Sequence, residues 1–347
     1  MLCDDNLMEK RDFTFIDLFA GIGGFHLGLA KNGGKCVYVN EWDKFSLITY
    51  EHWFPTVAID RRDLRIVDAK RDIPKHDVLA GGFPCQPFSL AGVSKKNSLG
   101  HKHGFADIKQ GNLFLFICEI IEKRQPKVVF LENVKNLLSH DKGRTWHIIQ
   151  ESLDSLGYHV EWKVIDAGHW VPQHRERLYI IGFRRKSFTK SEISSFKFPK
   201  PPTNPPKLKD ILDSKPASKY MLSDNLWRYL VSYAKKHKER GNGFGYSIAE
   251  PESHSRTLSA RYHKDGSEIL ISQKGWRNPR RISPAEAARL MGFDATWGNR
   301  HGNGFPQVVS DTQAYRQFGN SVCPHVVAAI GVEIKSLLKK QRARTSR

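Results

Sequence analysis

Apolar positions between residues 13 and 183 fall into short clusters separated by longer amphipathic stretches. FTFIDLFA, KCVYVNEW, KHDVLAGG, KVVFLENV and RLYIIGF each gather β-branched or aromatic residues between Gly, Pro or Asp, the pattern of strands. Between them, LFLFICEIIEKR and RTWHIIQESLDSLG have helical spacing. This βαβ rhythm predicts an α/β fold with an open, mixed, mainly parallel sheet covered by helices. Beyond Phe183 the rhythm breaks into RRKSFTKSEISSFKFPKPPTNPPKLKDIL, with prolines crowded between Pro199 and Pro206. The stretch 184–281 reads as irregular. Order returns at SPAEAARLMGF, where Ser283 is set to cap a helix with Pro284 in its first turn and Glu286 at the capping-box position. A last apolar helix, CPHVVAAIGVEIKSLLKK, precedes a basic tail, QRARTSR, expected to fray. These breaks predict a large domain over 1–183, a smaller one over 184–300 and a C-terminal segment over 301–347.

Composition narrows the function classes. A chain of 347 residues with 39% hydrophobic and 11% aromatic content can build real cores, which excludes wholesale disorder. No apolar run reaches the roughly 18 to 20 residues of a membrane span, and MLCDDNLMEKRDF lacks a signal-peptide core. Cys3, Cys36, Cys85, Cys118 and Cys323 are an odd set without a CxxC pair, against both a disulfide framework and a zinc site. A reducing cytoplasm fits that usage. Fifty-five Lys and Arg against 36 Asp and Glu leave +19, and residues 184–281 carry 22 against 9 of these. Such an excess favours a polyanionic partner, whose phosphates release counterions when neutralised.

The candidate chemistry sits at the strand ends. DLFAGIGGFHLGL opens a helix after the first strand, and Gly21, Gly23 and Gly24 allow a tight turn with close backbone approach to a ligand. His26 breaks the GxGxxG spacing, so a cofactor without a pyrophosphate is expected. Glu41, ending the second strand, is placed to accept ribose hydroxyls, Trp42 to pack on a purine, and Asp63 to take an adenine amino group. Cys85 lies in GGFPCQPFS, stiffened by Pro84 and Pro87, where open α/β sheets bind ligands. Glu132 and Asn133 in VVFLENV should project from the same edge. A thiolate and a carboxylic acid beside an adenosine-type cofactor suit methylation of cytosine carbon 5. The thiolate adds to carbon 6, and the acid, kept protonated by a dry pocket, assists at ring N3.

Taken together, DLFAGIGG, Glu41–Trp42, GGFPCQPFS, ENVKN, PQHRERLYIIGF, RRISPAEAARLMGF and YRQFGNSV resemble the cytosine-5 DNA methyltransferases, in that family's order, from near residue 13 to near 335. GNGFGY and RTLSARYHKDGSEIL are similar to its Dcm-like branch. The resemblance implies a Rossmann-like S-adenosylmethionine-dependent domain, a small target-recognition domain and a final helix returning to the first. It gives Cys85 as nucleophile and Glu132 as the N3 partner. Arg175 and Arg177 would hold the pyrimidine carbonyl, the catalytic loop and the carboxylate network. Phe19, Gly21, Gly23, Glu41, Trp42, Asp63, Leu64, Pro84, Asn320, Ser321 and Val322 would surround S-adenosyl-L-methionine, with no metal. The long polar stretch after Cys85 would close over DNA with Ser89 near a phosphate; Ala91 stands where some relatives have serine. Arg256, Thr257, Arg261 and Lys264 fall in the DNA-contacting stretch, where Thr257 and Leu258 match a Thr-Leu pair that shapes the recognition domain. The implied activity is methylation of a flipped-out cytosine in a short double-stranded DNA site such as CCNGG or CCWGG. The implied setting is a cytoplasmic, nucleoid-associated monomer protecting DNA from a cognate restriction endonuclease, without a stable complex between them. A tRNA cytosine-5 methyltransferase of the same family stays open as the alternative. A catalytically silent DNA-binding protein is disfavoured by intact Cys85, Glu132 and Arg175.

Overall fold

The computed structural model describes residues 11–84, 113–243, 245–297 and 305–346. Among these, seven strands form one sheet: β1 (Phe13–Leu18), β2 (Gly34–Asn40), β3 (Ile59–Asp60), β4 (Val78–Gly82), β5 (Val128–Val134), β6 (Tyr158–Asp166) and β7 (Glu176–Arg184). Their spatial order is β3-β2-β1-β4-β5-β7-β6. Neighbours pair in parallel except around β7, which runs antiparallel to both β5 and β6. The α/β class with a mixed, mainly parallel sheet is therefore the one the chain adopts. Alternate residues serve opposite faces: Phe15, Val78, Phe130 and Ile181 enter one core, and Ile16, Leu79, Leu131 and Ile180 the other. Burial on both sides explains why these strands read as unbroken apolar runs.

The helices are α1 (Gly24–Ala30), α2 (Lys44–Trp53), α3 (Leu113–Arg124), α4 (Arg144–Ser155), α5 (Lys190–Ser195), α6 (Asp224–Glu239), α7 (Pro284–Leu290), α8 (Asp311–Asn320) and α9 (Pro324–Thr345). On the first face α9 lies so close to α1 that a Cβ on Gly28 would sit 2.6 Å from Val327 Cγ1. On the second face α3 and α4 bury Phe114, Ile117 and Ile149. A third core gathers Leu258, Tyr262, Ile282, Leu290 and Phe318 around Ile22 and Leu27, so the C-terminal elements are packed directly onto the α1 region. The Ser283–Glu286 capping box forms as anticipated.

Four features depart from the sequence reading. β6 went unnamed because it is an edge strand whose apolar residues alternate with His159, Glu161 and Lys163. The stretch after Phe183 does not leave the first core at once, since Phe188, Ile193 and Phe196 are buried in it. Within the supposedly irregular basic stretch, Ser223 caps the 16-residue helix α6, whose apolar side, Leu226, Trp227 and Leu230, packs with Leu222, Leu270 and Tyr246 in a small cluster of its own. The tail does not fray: α9 runs to Thr345, with Arg342 3.0 Å from Asp77 and Arg344 3.0 Å from Glu192. The stretch 311–345 also holds a window apolar and long enough to span a membrane, but Val326, Ile330, Ile334 and Leu338 place it in the core.

Candidate functional site

β1, β2, β4 and β5 end at one sheet edge, where parallel α/β sheets bind ligands, and residues from all four ends line a cavity of about 730 Å³. Phe19, Gly21, Glu41, Trp42, Asp63, Leu64 and Pro84 lie on its wall, and so do Asn320, Ser321 and Val322 from the junction of α8 and α9. Glu132, Arg175 and Arg177 share it. The volume lies within the range of small-molecule sites.

The glycine turn leaves β1 through left-handed conformations at Phe19 (φ 55°) and Gly21 (φ 56°). A Cβ on Gly21 would meet nothing within 4 Å, so this backbone borders open space that a ligand can approach. Gly23 (φ 86°) does not line the cavity; the Phe54 ring fills the position a side chain would need, which makes it a packing glycine. Glu41 Oε2 accepts from Gly21 N at 2.8 Å, and Oε1 accepts from the backbone N–H groups of Trp42 and Asp43 at 2.8 and 2.7 Å. It therefore ties the glycine turn to the end of β2. About one of a carboxylate's roughly four acceptor directions is left for a ribose hydroxyl. Burial raises the Glu41 pKa against those three donors. Trp42, 66% exposed, offers its indole on the cavity wall. Asp63 caps the turn at Leu64 and is held by Arg65, with Nε 2.9 Å from Oδ2, so Arg65 competes for the acceptor expected to meet an adenine amino group.

At the other end, Glu132 stands near the end of β5 and Arg177 near the start of β7, with Arg177 Nε 3.2 Å from Glu132 Oε1. Desolvation raises the pKa of Glu132, opposed by the charges of Arg177 and Arg175. The rise favours the protonated carboxyl, and the two guanidinium groups favour the ionised one. Asn133 Nδ2 donates to Phe83 O at 2.8 Å and fixes the exit of β4 just before Pro84. Cys85 and Ser89 lie outside the described residues.

Arg175 is buried and donates to three carbonyls: Leu258 O at 3.1 Å, Gly319 O at 3.0 Å and Ser321 O at 2.7 Å. Burial pushes its pKa down to about 9, which still leaves it charged at neutral pH. It joins the segment entering β7 to the 255–260 segment and to the turn between α8 and α9. Two residues the sequence reading quoted without a role strengthen that seam. Gln173 donates to Leu290 O at 2.6 Å and accepts from Leu258 N at 3.1 Å. Gln317 bonds Phe45 O at 2.8 Å and Thr49 Oγ1 at 3.0 Å, tying α8 to α2. Both sit in the quoted motifs, PQHRER and YRQFGNSV, and their burial was the signal the sequence alone did not carry. The Thr257 hydroxyl donates to the His174 carbonyl, so it serves the seam. Thr257, Arg261 and Lys264 border a second cavity of about 330 Å³ with Asp265 and Glu268. Arg256, Arg261 and Lys264 are exposed and form no ion pair among the described residues.

Similarity to known proteins agrees with this layout. A DNMT2 structure from Spodoptera frugiperda superposes with a TM-score of 0.69 at 19% identity, covering 94% of this chain and 99% of that one, which shows a shared fold. The DNA-cytosine methyltransferase of Escherichia coli K12 is 46% identical over 94% of this chain and 78% of its own length. Type II methyltransferase M.NlaX of Neisseria lactamica is 44% identical over 94% and 97%. Residues 13–336 match the family description "C-5 cytosine-specific DNA methylase", which spans both the cofactor-side cavity and the seam, and the chain belongs to that family.

Proposed function

We propose that this DNA (cytosine-5) methyltransferase modifies one cytosine within a short specific double-stranded sequence, takes the methyl group from S-adenosyl-L-methionine, and protects host DNA as part of a restriction–modification system. The observation that carries the reading is a single cavity holding the glycine turn with Glu41 at one end and the half-buried Glu132–Arg177 pair at the other. Pro84, the residue before Cys85, lies on its wall. The open space at Gly21 fits an adenosine-bearing cofactor, with Glu41, Trp42 and Leu64 to meet its nucleoside, and Ser321 and Val322, packed against Gly24, completing the wall. When bound, that cofactor supplies an electrophilic methyl group.

The chain's own groups do the rest. Cys85, as thiolate, adds to carbon 6 of the cytosine, and the ring electrons move toward carbon 5. Glu132 donates to N3, offsetting the negative charge that develops there, and Arg177 holds the carboxyl in place. After carbon 5 has taken the alkyl group, a base in the site, water or a carboxylate, takes its proton, the C6–S bond breaks to release the thiolate, and N3 returns its proton to Glu132, which restores the aromatic ring. The base must leave the duplex, at a cost of a few kcal/mol, which phosphate contacts from Arg256, Arg261 and Lys264 would offset. The enzyme would act as a cytoplasmic monomer on nucleoid DNA, and its endonuclease would read the same site separately.

Cys85→Ala should abolish methyl transfer and the covalent adduct with 5-fluorocytosine duplex, while S-adenosylhomocysteine affinity changes by less than about twofold, because the thiol acts in chemistry and not in cofactor binding. Bisulfite sequencing of host DNA then maps the modified base. Retained turnover in Cys85→Ala would refute the thiolate mechanism, and methylation of tRNA in preference to duplex DNA would refute the substrate.

A further inference from the structure

α8 presents Gln313, Arg316 and Asn320 to the cavity, a spacing of three and then four residues that puts them on one helix face. Arg316 is exposed and, among the described residues, has neither a hydrogen bond nor an ion pair. Every other arginine on the wall is engaged: Arg65 with Asp63, Arg177 with Glu132, and Arg175 with three backbone carbonyls. The carboxylates are engaged as well. Glu41 accepts three backbone N–H groups, Asp43 caps α2, and Asp63 and Glu132 hold their arginines. An uncommitted guanidinium therefore faces the cavity one helical turn before Asn320.

The cofactor of the proposed reaction carries one anionic group, the carboxylate of its amino-acid arm, beside two cationic centres. We infer that Arg316 anchors that carboxylate, a binding role that rests on the S-adenosylmethionine reading and adds a residue to it. The guanidinium fork matches a carboxylate geometrically and stays charged at any working pH, so it sets which way round the cofactor enters.

Titration calorimetry with the full chain tests the assignment, using S-adenosylhomocysteine and its decarboxylated analogue, which keeps the adenosine and the ammonium. Arg316→Ala should weaken S-adenosylhomocysteine about tenfold or more and the decarboxylated analogue less than about twofold, since a charge-assisted bond is lost only with the first. Arg316→Lys should recover part of the loss, because the charge remains without the fork. Equal weakening of both ligands would overturn the inference in favour of a structural role. Unchanged S-adenosylhomocysteine affinity with a DNA-binding salt slope reduced by about 0.9 would overturn it in favour of a phosphate contact. Failure of the wild-type chain to bind S-adenosylhomocysteine at all would refute the cofactor reading itself, a result distinct from either.

Discussion

Two buried arginines in this chain are stabilised in opposite ways. Arg280 forms a two-pronged pair with Glu286, Nη1 to Oε2 at 2.7 Å and Nη2 to Oε1 at 2.8 Å, and neither side chain is exposed. Arg175 is as deeply placed but meets three carbonyls in two separate segments, Leu258 in one and Gly319 and Ser321 in the other, and its Nε has no partner among the described residues. The first neutralises its charge locally within one short stretch around α7. The second leaves its charge to act on the cavity, where it opposes the desolvation that raises Glu132. Local pairing makes a rivet, whereas an unneutralised charge holding three segments makes a joint that the site can feel.

Substitution by methionine at each position should separate these roles. Arg280→Met leaves Glu286 buried without its counter-charge and should cost about 3 to 5 kcal/mol of unfolding free energy, read from urea midpoints. Arg175→Met leaves three carbonyls short of a donor but also removes a poorly compensated charge, so about 1 to 3 kcal/mol is expected. Methyl transfer, measured in a single turnover at a temperature where both variants are folded, should fall further in Arg175→Met. A variant at 175 that is less stable than the one at 280, yet fully active, would erase the distinction.

The rivet was more legible in the sequence than the joint. Ser283, Pro284 and Glu286 announce a capping box by spacing alone, and the box forms. The strands around the site were equally legible, because burial on both faces writes a continuous apolar run into β1, β4 and β5. β6 was not, since it is a half-wet edge; α6 has helical spacing at Leu226, Trp227, Leu230 and Tyr233, but it lies in a basic stretch that follows a proline-rich one, and the composition of that stretch hid it. Arg175 and Arg177 could be named from PQHRER, but a local motif cannot say that one grips distant carbonyls and the other a carboxylate. The same limit applies to Gly23, whose neighbour Phe54 comes from the far end of α2, and to Glu41, one of whose three donors, Gly21 N, depends on how the glycine turn folds back.

A carboxylate shows the unpaired case from the acidic side. Asp17 on β1 is fully buried beneath the glycine turn, and neither oxygen has a hydrogen-bond partner among the described residues. Desolvation raises its pKa well above the ordinary carboxylate range; the His26 backbone N–H lies near enough to oppose the rise but makes no hydrogen bond of normal geometry, and the Glu41 charge adds to it. A carboxyl raised in the folded state costs nothing below its unfolded pKa and destabilises progressively as pH climbs toward the folded value. Asp17→Asn should therefore gain stability relative to wild type as pH rises from about 4 through neutrality, because the unfolded carboxyl ionises there while the buried one resists. A stability difference that stays flat across that range would mean the aspartate is already satisfied by a group near the turn.

The smallest effect expected belongs to a pair with the same chemistry as the rivet and a different depth. Arg344 Nε lies 3.0 Å from Glu192 Oε1, but the arginine is 45% exposed and sits at the end of α9, where water and salt compete for both groups. An ion pair in that setting contributes about 0 to 1 kcal/mol, so Arg344→Ala should move the urea midpoint only slightly and still less at high salt. Glu192 also caps α5 through the Thr189 backbone, so it keeps a donor when the arginine is gone, unlike an isolated buried charge. What fixes the tail is the apolar side of α9, with Leu337 and Leu338 in the first core, and not its basic end. A loss in Arg344→Ala approaching that of Arg280→Met would show that depth is not what separates the two pairs, and the contrast drawn from the buried arginines would have to rest on connectivity alone.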